Sequence, residues 1–286
     1  MKCYHHNDLD GRCAAAIVLW SLPAFDDRKG SFIEVDYKDK IEVEKIGADE
    51  RVYIVDFSFK PEVMEQVLQK TQNIIWIDHH KTAFEYDYGI ELDGLRNINY
   101  SGCELTWIYF YGESFEFYKD GKQTGMPEAI KLIGDYDKWA LKYQPECFEF
   151  YEGMKLELNY PKSTVWRNLF ANDKGVADII QGGKTAIKYR DNYCADMNKH
   201  YGYETSIEEH RAFAVNLYRF GSQGFGNLFD EYDLCISYIH DGKKFTVSLY
   251  SQKVDVSKIA IKHGGGGHTG AAGFVCEELP FKKVGK

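Results

Sequence analysis

Residues 73–80 read Asn-Ile-Ile-Trp-Ile-Asp-His-His. A short apolar run bounded by polar residues reads as a buried strand. Here it ends in an acid and two histidines. Arg51–Asp56 (Arg-Val-Tyr-Ile-Val-Asp) repeats the plan, a β-rich run closing on an acid. Lys2–Tyr4 reads as a short opening strand that leads into His5-His6-Asn7-Asp8-Leu9-Asp10-Gly11. A helix is expected over Cys13–Leu22, stopped by Pro23, and an alternating strand over Phe32–Tyr37. Pro61 opens a helix through Leu68, since proline is tolerated in a first turn. Strands alternating with helices predict a parallel sheet with helices on both faces.

Further along, the pattern is mostly helical, clearest over Ser101–Tyr111, Met126–Gly134 and Gly175–Arg190. Residues 193–211 are polar and read as a connector. Beyond them Ala212–Leu217, Leu234–Ile239, Phe245–Tyr250 and Ala272–Cys276 read as strands, and Val256–His263 as a helix. Asp241-Gly242 supplies a hairpin turn. The fold class expected is α/β. A parallel-sheet catalytic domain spans 1–195, with its helical region at 101–195. A connector at 196–211 leads to a smaller C-terminal α/β domain over 212–286.

The chain has 286 residues and a formal net charge of −9, which argues against non-specific binding to long duplex DNA. It leaves room for a small anion held by cations. Seven cysteines, an odd number with no Cys-x-x-Cys pair, read as reduced thiols in a cytoplasmic protein. Polar residues from Lys2 onward do not read as a secretory leader. The longest apolar stretch is about half the ~20 residues of a membrane span.

Asp8 and Asp10 alternate in the segment after the first strand. They can face two metals or cap the following helix. Asp56 ends a strand. Asp78, His79 and His80 follow another, and in open α/β sheets such carboxyl ends line the ligand crevice. An Asp beside a His can fix the imidazole's tautomer. Asp135 and Asp137 end a helical segment, where the macrodipole disfavours negative charge unless a cation offsets it. Acids and histidines without thiolates suit Mn²⁺ or Mg²⁺ ahead of Zn²⁺ or Fe²⁺. Taken together they predict two divalent ions ~3.5–4 Å apart with a water between them. A second signal is His263-Gly264-Gly265-Gly266-Gly267-His268, where bare backbone N–H groups suit an anion. Residues 240–286 hold eight lysines against four acids, which favours the same ligand class.

In this order the blocks resemble the DHH phosphoesterase superfamily, named for the motif seen here at Asp78-His79-His80. The His-Gly-Gly-Gly-Gly-His run resembles the GGGH motif of its C-terminal DHH-associated domain. The combination looks most like the nanoRNases (oligoribonuclease-like) and related dinucleotide phosphodiesterases. The resemblance implies one ion on His6, Asp8 and Asp56, and a second on Asp10, Asp56, His79 and Asp135. It implies that Asp78 orients a histidine, that His80 lies near the reacting phosphate, and that Gly265, Gly266, Gly267 and His268 grip the far phosphate. Many relatives carry His where this chain has Tyr4, and Arg where it has Tyr250, so His6 serves in the first motif and Lys253 is expected to supply the missing charge.

The activity expected is hydrolysis of phosphodiester bonds in short oligonucleotides or dinucleotides by a metal-activated water, with Asp78 and His80 in the catalytic set and Mn²⁺ as the metal. The partner expected is a short single strand of about two to five nucleotides, because a long electrostatic track is at odds with the acidic charge. No membrane is expected, and a homodimer is allowed for. Rival readings are a phosphatase acting on a 3′,5′-bisphosphate nucleotide, a phosphoanhydride hydrolase, and a non-catalytic nucleotide sensor.

Overall fold

The first strand, β1 (Lys2–His6), pairs in parallel with β2 (Ser31–Val35) on one side and with β3 (Val52–Val55) on the other. The next strand, β4 (Ile74–Ile77), pairs in parallel with β3, giving the order β2-β1-β3-β4. The chain therefore leaves β1 first to one side and then to the other. The carboxyl ends of β1 and β3 flank the point where strand order reverses, the place where open α/β sheets bind ligands. The computed structural model describes residues 1–22, 30–112, 117–119, 122–171 and 173–283. Pro23, the expected stop of the first helix, lies outside them.

Every residue of β3 and β4 is buried, as both faces of the sheet are covered. Tyr53, Val55, Ile75 and Ile77 point into one core with α1 (Leu9–Ser21), and Val52, Ile54, Ile74 and Trp76 into the other with α2 (Pro61–Leu68). Period-two alternation along each strand sorts the side chains this way. The first core also takes α3 (Gly102–Tyr111), α4 (Glu128–Asp137), α5 (Glu146–Met154) and α6 (Thr164–Ala171). A two-stranded hairpin, β5 (Phe117–Lys119) and β6 (Lys122–Thr124), lies between α3 and α4 in sequence.

The chain divides into two units, Met1–Lys184 and Thr185–Lys286, with the boundary inside the long helix α7 (Asp173–Tyr201). The segment 193–211, read from its polarity as a connector, is instead regular structure. It continues α7 and then forms β7 (Tyr203–Ile207) and the start of β8 (His210–Asn216). Its tyrosines and charges suit an edge strand and an exposed helix face as well as a linker, so polarity misled.

The second unit holds a six-stranded sheet. β9 (Leu234–His240) follows the short helix α8 (Leu228–Glu231). Next come β10 (Phe245–Tyr250), α9 (Val256–Lys262), β11 (Gly266–His268) and β12 (Ala271–Cys276). The sheet order is β11-β12-β10-β9-β8-β7, antiparallel except for β8 with β9. One face packs Ala212, Ala214, Ile236 and Val247 against Ile259 of α9. The other packs Phe213 and Val215 against Phe225 and Cys194 of α7.

Candidate metal centre

Asp8 is the N-cap of α1, its Oδ1 accepting from Gly11 N at 2.8 Å. Gly11 is required here because a Cβ would lie 2.4 Å from the His6 carbonyl oxygen. That close approach seats the first turn of α1 on the end of β1 and turns Asp8 and Asp10 inward. Asp8 Oδ2 lies 2.6 Å from His6 Nδ1. Burial alone would push this histidine down and this acid up. Their mutual hydrogen bond and charge outweigh it, so His6 stays raised and Asp8 lowered, as for an ion pair.

Asp10 is buried against the N-terminus of α3. It accepts from Gly102 N at 2.6 Å, Cys103 N at 3.0 Å and Ser101 Oγ at 2.9 Å. Free N–H groups and the helix dipole favour an anion there. Ser101 and Glu104 close a capping box on the same turn.

Asp56 follows β3 with a left-handed backbone (φ 53°), a conformation Asp tolerates better than most residues. Its N–H still donates to Ile77 O at 2.9 Å, so β4 fixes its position. Gly102 makes room for it: a Cβ there would fall 2.4 Å from Asp56 Cβ. Both carboxylate oxygens are buried and neither has a hydrogen-bond partner among the described residues. Burial, and then the charges of Asp10, Asp8, Asp137 and Asp78, push its carboxyl well above the usual range. A buried carboxylate among carboxylates, with no hydrogen-bond donor and only imidazoles beside it, is strongly unfavourable unless a proton or cation joins it.

His79 Nε2 faces three acids, Asp56 Oδ1 at 3.1 Å, Asp137 Oδ2 at 3.5 Å and Asp10 Oδ2 at 3.8 Å. Burial lowers its pKa, which favours the neutral imidazole that binds metals. Three overlapping groups bring one ligand atom per residue within 4.8 Å: His6, Asp8 and Asp56; Asp56, His79 and His80; Asp10, His79 and Asp137. Asp56 belongs to two of them. The oxygen and nitrogen donors and the buried Asp56 carboxylate, which accepts no hydrogen bond among the described residues, fit divalent cations of the Mn²⁺ and Mg²⁺ kind.

Asp78 is fully buried behind this cluster. Its Oδ1 accepts from His79 N at 2.7 Å and His80 N at 3.2 Å and lies 2.8 Å from His80 Nδ1. Its Oδ2 accepts from Ser58 Oγ at 2.5 Å, and Ser58 Oγ accepts from Trp76 Nε1. These bonds hold Asp78 ionised despite its burial, so it orients His80 and leaves Nε2 free. For His80 burial acts downward, yet the Asp78 bond and charge leave its pKa raised.

Asp135 departs from the expected ligand set. Its Oδ1 accepts from Lys142 N at 2.9 Å and its Oδ2 from Tyr143 N at 3.0 Å, while its carbonyl accepts from Ala140 N. It therefore ties down the turn after α4, in which Trp139 and Leu141 are left-handed. Asp137, two residues on, faces His79 instead. Its carboxyl is pushed up to about 9 by burial and by Asp10 and Asp8. The run Gly134-Asp135-Tyr136-Asp137 contains both acids, and only helix phase decides between them. Lys138 anchors the spot by bonding Glu104 Oε2 at 2.5 Å and Asn99 O at 3.0 Å. Tyr4, at the position where relatives carry His, sits in the core edge-on to Phe59, with ring centroids 5.1 Å apart.

In the second unit the glycine run forms the exposed strand β11, and His268 is exposed. Gly265 and Gly267 serve the hairpin itself. A Cβ would lie 2.0 Å from Gly273 O at the first and 2.5 Å from Ala272 Cα at the second. At Gly266 a Cβ would meet open space, so its bare backbone is not a packing requirement. Tyr250 shares the rung of Ala271 and His268 across β10, β12 and β11. Lys253, expected to supply charge to a phosphate, is engaged by backbone carbonyls. Its Nζ donates to Asp230 O at 2.5 Å and Tyr232 O at 2.9 Å, clamping the end of α8.

No protein-family model matches the chain. A curated relative, uncharacterized protein R106 of Acanthamoeba polyphaga mimivirus, is 24% identical over 92% of this chain. The chain spans 61% of that relative's length. Among solved structures, the DHH domain of a member of a ribosomal-protein family is 13% identical with a TM-score of 0.58, covering 96% of this chain and 82% of that one. The chain has the DHH fold. Two further DHH-fold likenesses span nearly the whole sequence. The pGpG-specific phosphodiesterase PggH of Vibrio cholerae is 14% identical with a TM-score of 0.57, covering 96% of this chain and 93% of that one. Exonuclease RecJ bound to manganese is 11% identical with a TM-score of 0.53, covering 97% and 86%. In this DHH-fold chain, among the described residues, no helix is long and apolar enough to cross a membrane.

Proposed function

We propose that this chain is a divalent-metal-dependent hydrolase of phosphodiester bonds in dinucleotides and short single strands. The carrying observation is Asp56, whose two buried oxygens have no hydrogen-bond partner among the described residues while acids and histidines crowd around them. His6, Asp8 and Asp56 would hold one cation, and Asp10, Asp56, His79 and Asp137 a second. When bound, such cations make water nucleophilic at neutral pH and balance charge on the phosphoryl oxygens.

The chain's own residues supply the rest. Asp78 engages His80 Nδ1 at 2.8 Å, which leaves His80 Nε2 as the atom that would serve the reacting centre. His80 would then give its proton to the leaving oxygen. A water oxygen would form the new P–O bond and release its proton to solvent as the bond to the leaving sugar oxygen breaks. Asp10 has its oxygens fixed by the α3 N-terminus and needs no reorganisation to keep its place. On the second unit, His268 and the bare backbone of Gly266 would bind phosphate.

The test is release of p-nitrophenol from bis(p-nitrophenyl) phosphate, run beside cleavage of a dinucleotide, with Mn²⁺ and with EDTA. The reading expects both reactions with Mn²⁺ and neither with EDTA. Turnover that survives metal removal, or cleavage of pyrophosphate alone, contradicts it.

A further inference from the structure

A pocket of about 340 Å³ opens beside the metal centre within the first unit, between the segment after β2 and the start of α2. That volume lies within the ~300–1,000 Å³ usual for small-molecule sites. One wall is aromatic. Tyr37 packs on Phe57 with centroids 4.7 Å apart at 32°, and Phe57 packs edge-on against Phe59. Tyr37 also reaches the centre itself, its ring 5.9 Å from that of His6 and 6.0 Å from that of His80. Yet Tyr37 is 38% exposed, an unusual state for a ring so placed, and part of its surface is open to a ligand.

The lining also includes Lys38, Lys40 and Lys60. Lys38 is engaged by Asp36 at 3.4 Å. Asp36 also accepts from Asn7 Nδ2, and Asp39 caps the turn by accepting from Asp36 N at 2.8 Å. Both acids of the pocket are therefore occupied. Lys40 and Lys60 have no carboxylate partner among the described residues. Two lysines without a carboxylate partner, lining the same pocket as an exposed aromatic ring and next to a cluster built for phosphoryl chemistry, suit a planar base joined to a phosphate. Aromatic stacking is worth ~1–3 kcal/mol per base, and lysine serves phosphate as a mobile point charge.

We infer that this pocket receives the nucleotide on one side of the scissile phosphate, with its base on Tyr37 and its terminal phosphate on Lys40 and Lys60. The inference rests on the phosphodiesterase reading. It adds that the preferred substrate ends in a phosphate one nucleotide from the bond cleaved.

The decisive variant is the pair Lys40→Gln and Lys60→Gln, both exposed and both keeping the aliphatic stem. KM is measured with Mn²⁺ for one dinucleotide bearing a terminal phosphate at its 5′ end, at its 3′ end, and at neither. The double variant is expected to raise KM for one phosphorylated form at least tenfold relative to the unphosphorylated form. A second arm measures calorimetric binding of a nucleoside 3′,5′-bisphosphate, which is expected to weaken at least tenfold. An unchanged KM ratio, or equal bisphosphate affinity in the two proteins, overturns the pocket. If wild type cleaves no diester but the bisphosphate arm behaves as expected, the activity reading fails and the pocket stands.

Discussion

Asp56 and Asp137 carry opposite demands. Without cations their burial among acids raises both carboxyl groups, Asp137 to about 9. The native state then holds protons that unfolded carboxylates, with pKa near about 4, have already released. Stability of the metal-free protein must therefore fall as pH rises, from about pH 5 through about 9. Thermal denaturation in EDTA across that range should show a declining midpoint, and Asp137→Asn should flatten the upper part of the decline. Asp56→Asn should raise the metal-free midpoint while abolishing turnover, the usual conflict between a crowded site and a stable one. Asp135→Asn makes the contrast. Losing charge-assisted bonds to two backbone N–H groups should cost about 1–3 kcal/mol, with activity per folded molecule retained. If Asp135→Asn loses Mn²⁺-dependent turnover and Asp137→Asn keeps it, the ligand assignment is reversed.

At the scale of elements, glycines let backbone approach backbone at the site. Gly11 seats α1 on β1, and Gly102 seats α3 over Asp56. Gly102→Ala should destabilise by ~1–3 kcal/mol through overpacking and weaken Mn²⁺ binding as well, seen as a lower denaturation midpoint and a smaller Mn²⁺-induced upshift. Lys253→Ala should lower the stability of the second unit and leave KM for nucleotides near its original value, because its ammonium holds the carbonyls after α8. The strands and most helices were legible because their apolar runs are short, dense and bounded, as in Val52–Val55 and Ile74–Ile77. Pro61 marked α2 to the residue. The end of α4 was not legible at the same precision. Asp135 and Asp137 are chemically identical and two apart, and a helix turns that spacing by roughly 200°. Choosing between them needed the partners, Lys142 and Tyr143 N–H for one and His79 for the other. The partners of Lys253 were not legible for a related reason, since a lysine near a glycine run carries no sign that backbone carbonyls hold it.

Over the whole molecule, a net charge of −9 leaves little drive for binding a long polyanion. The cations assigned to nucleotide contact are few and local, Lys40 and Lys60 in the first unit. Efficiency across a ladder of labelled RNA and DNA strands should therefore be greatest at about two to five nucleotides and fall beyond that. A steady rise past about ten would favour an extended track. His268→Ala in the second unit should weaken use of nucleotides far more than use of bis(p-nitrophenyl) phosphate, because remote contacts are made only by the larger substrate. Everything proposed for the chemistry depends on the acids and histidines of the first unit forming a binuclear cation site bridged by Asp56. Equilibrium Mn²⁺ binding to metal-stripped wild type and to Asp56→Asn probes that site without any substrate. Two ions per wild-type chain are expected, with loss of tight binding in the variant. No bound Mn²⁺ in wild type, or the same stoichiometry and affinity in both proteins, would contradict the bridged site.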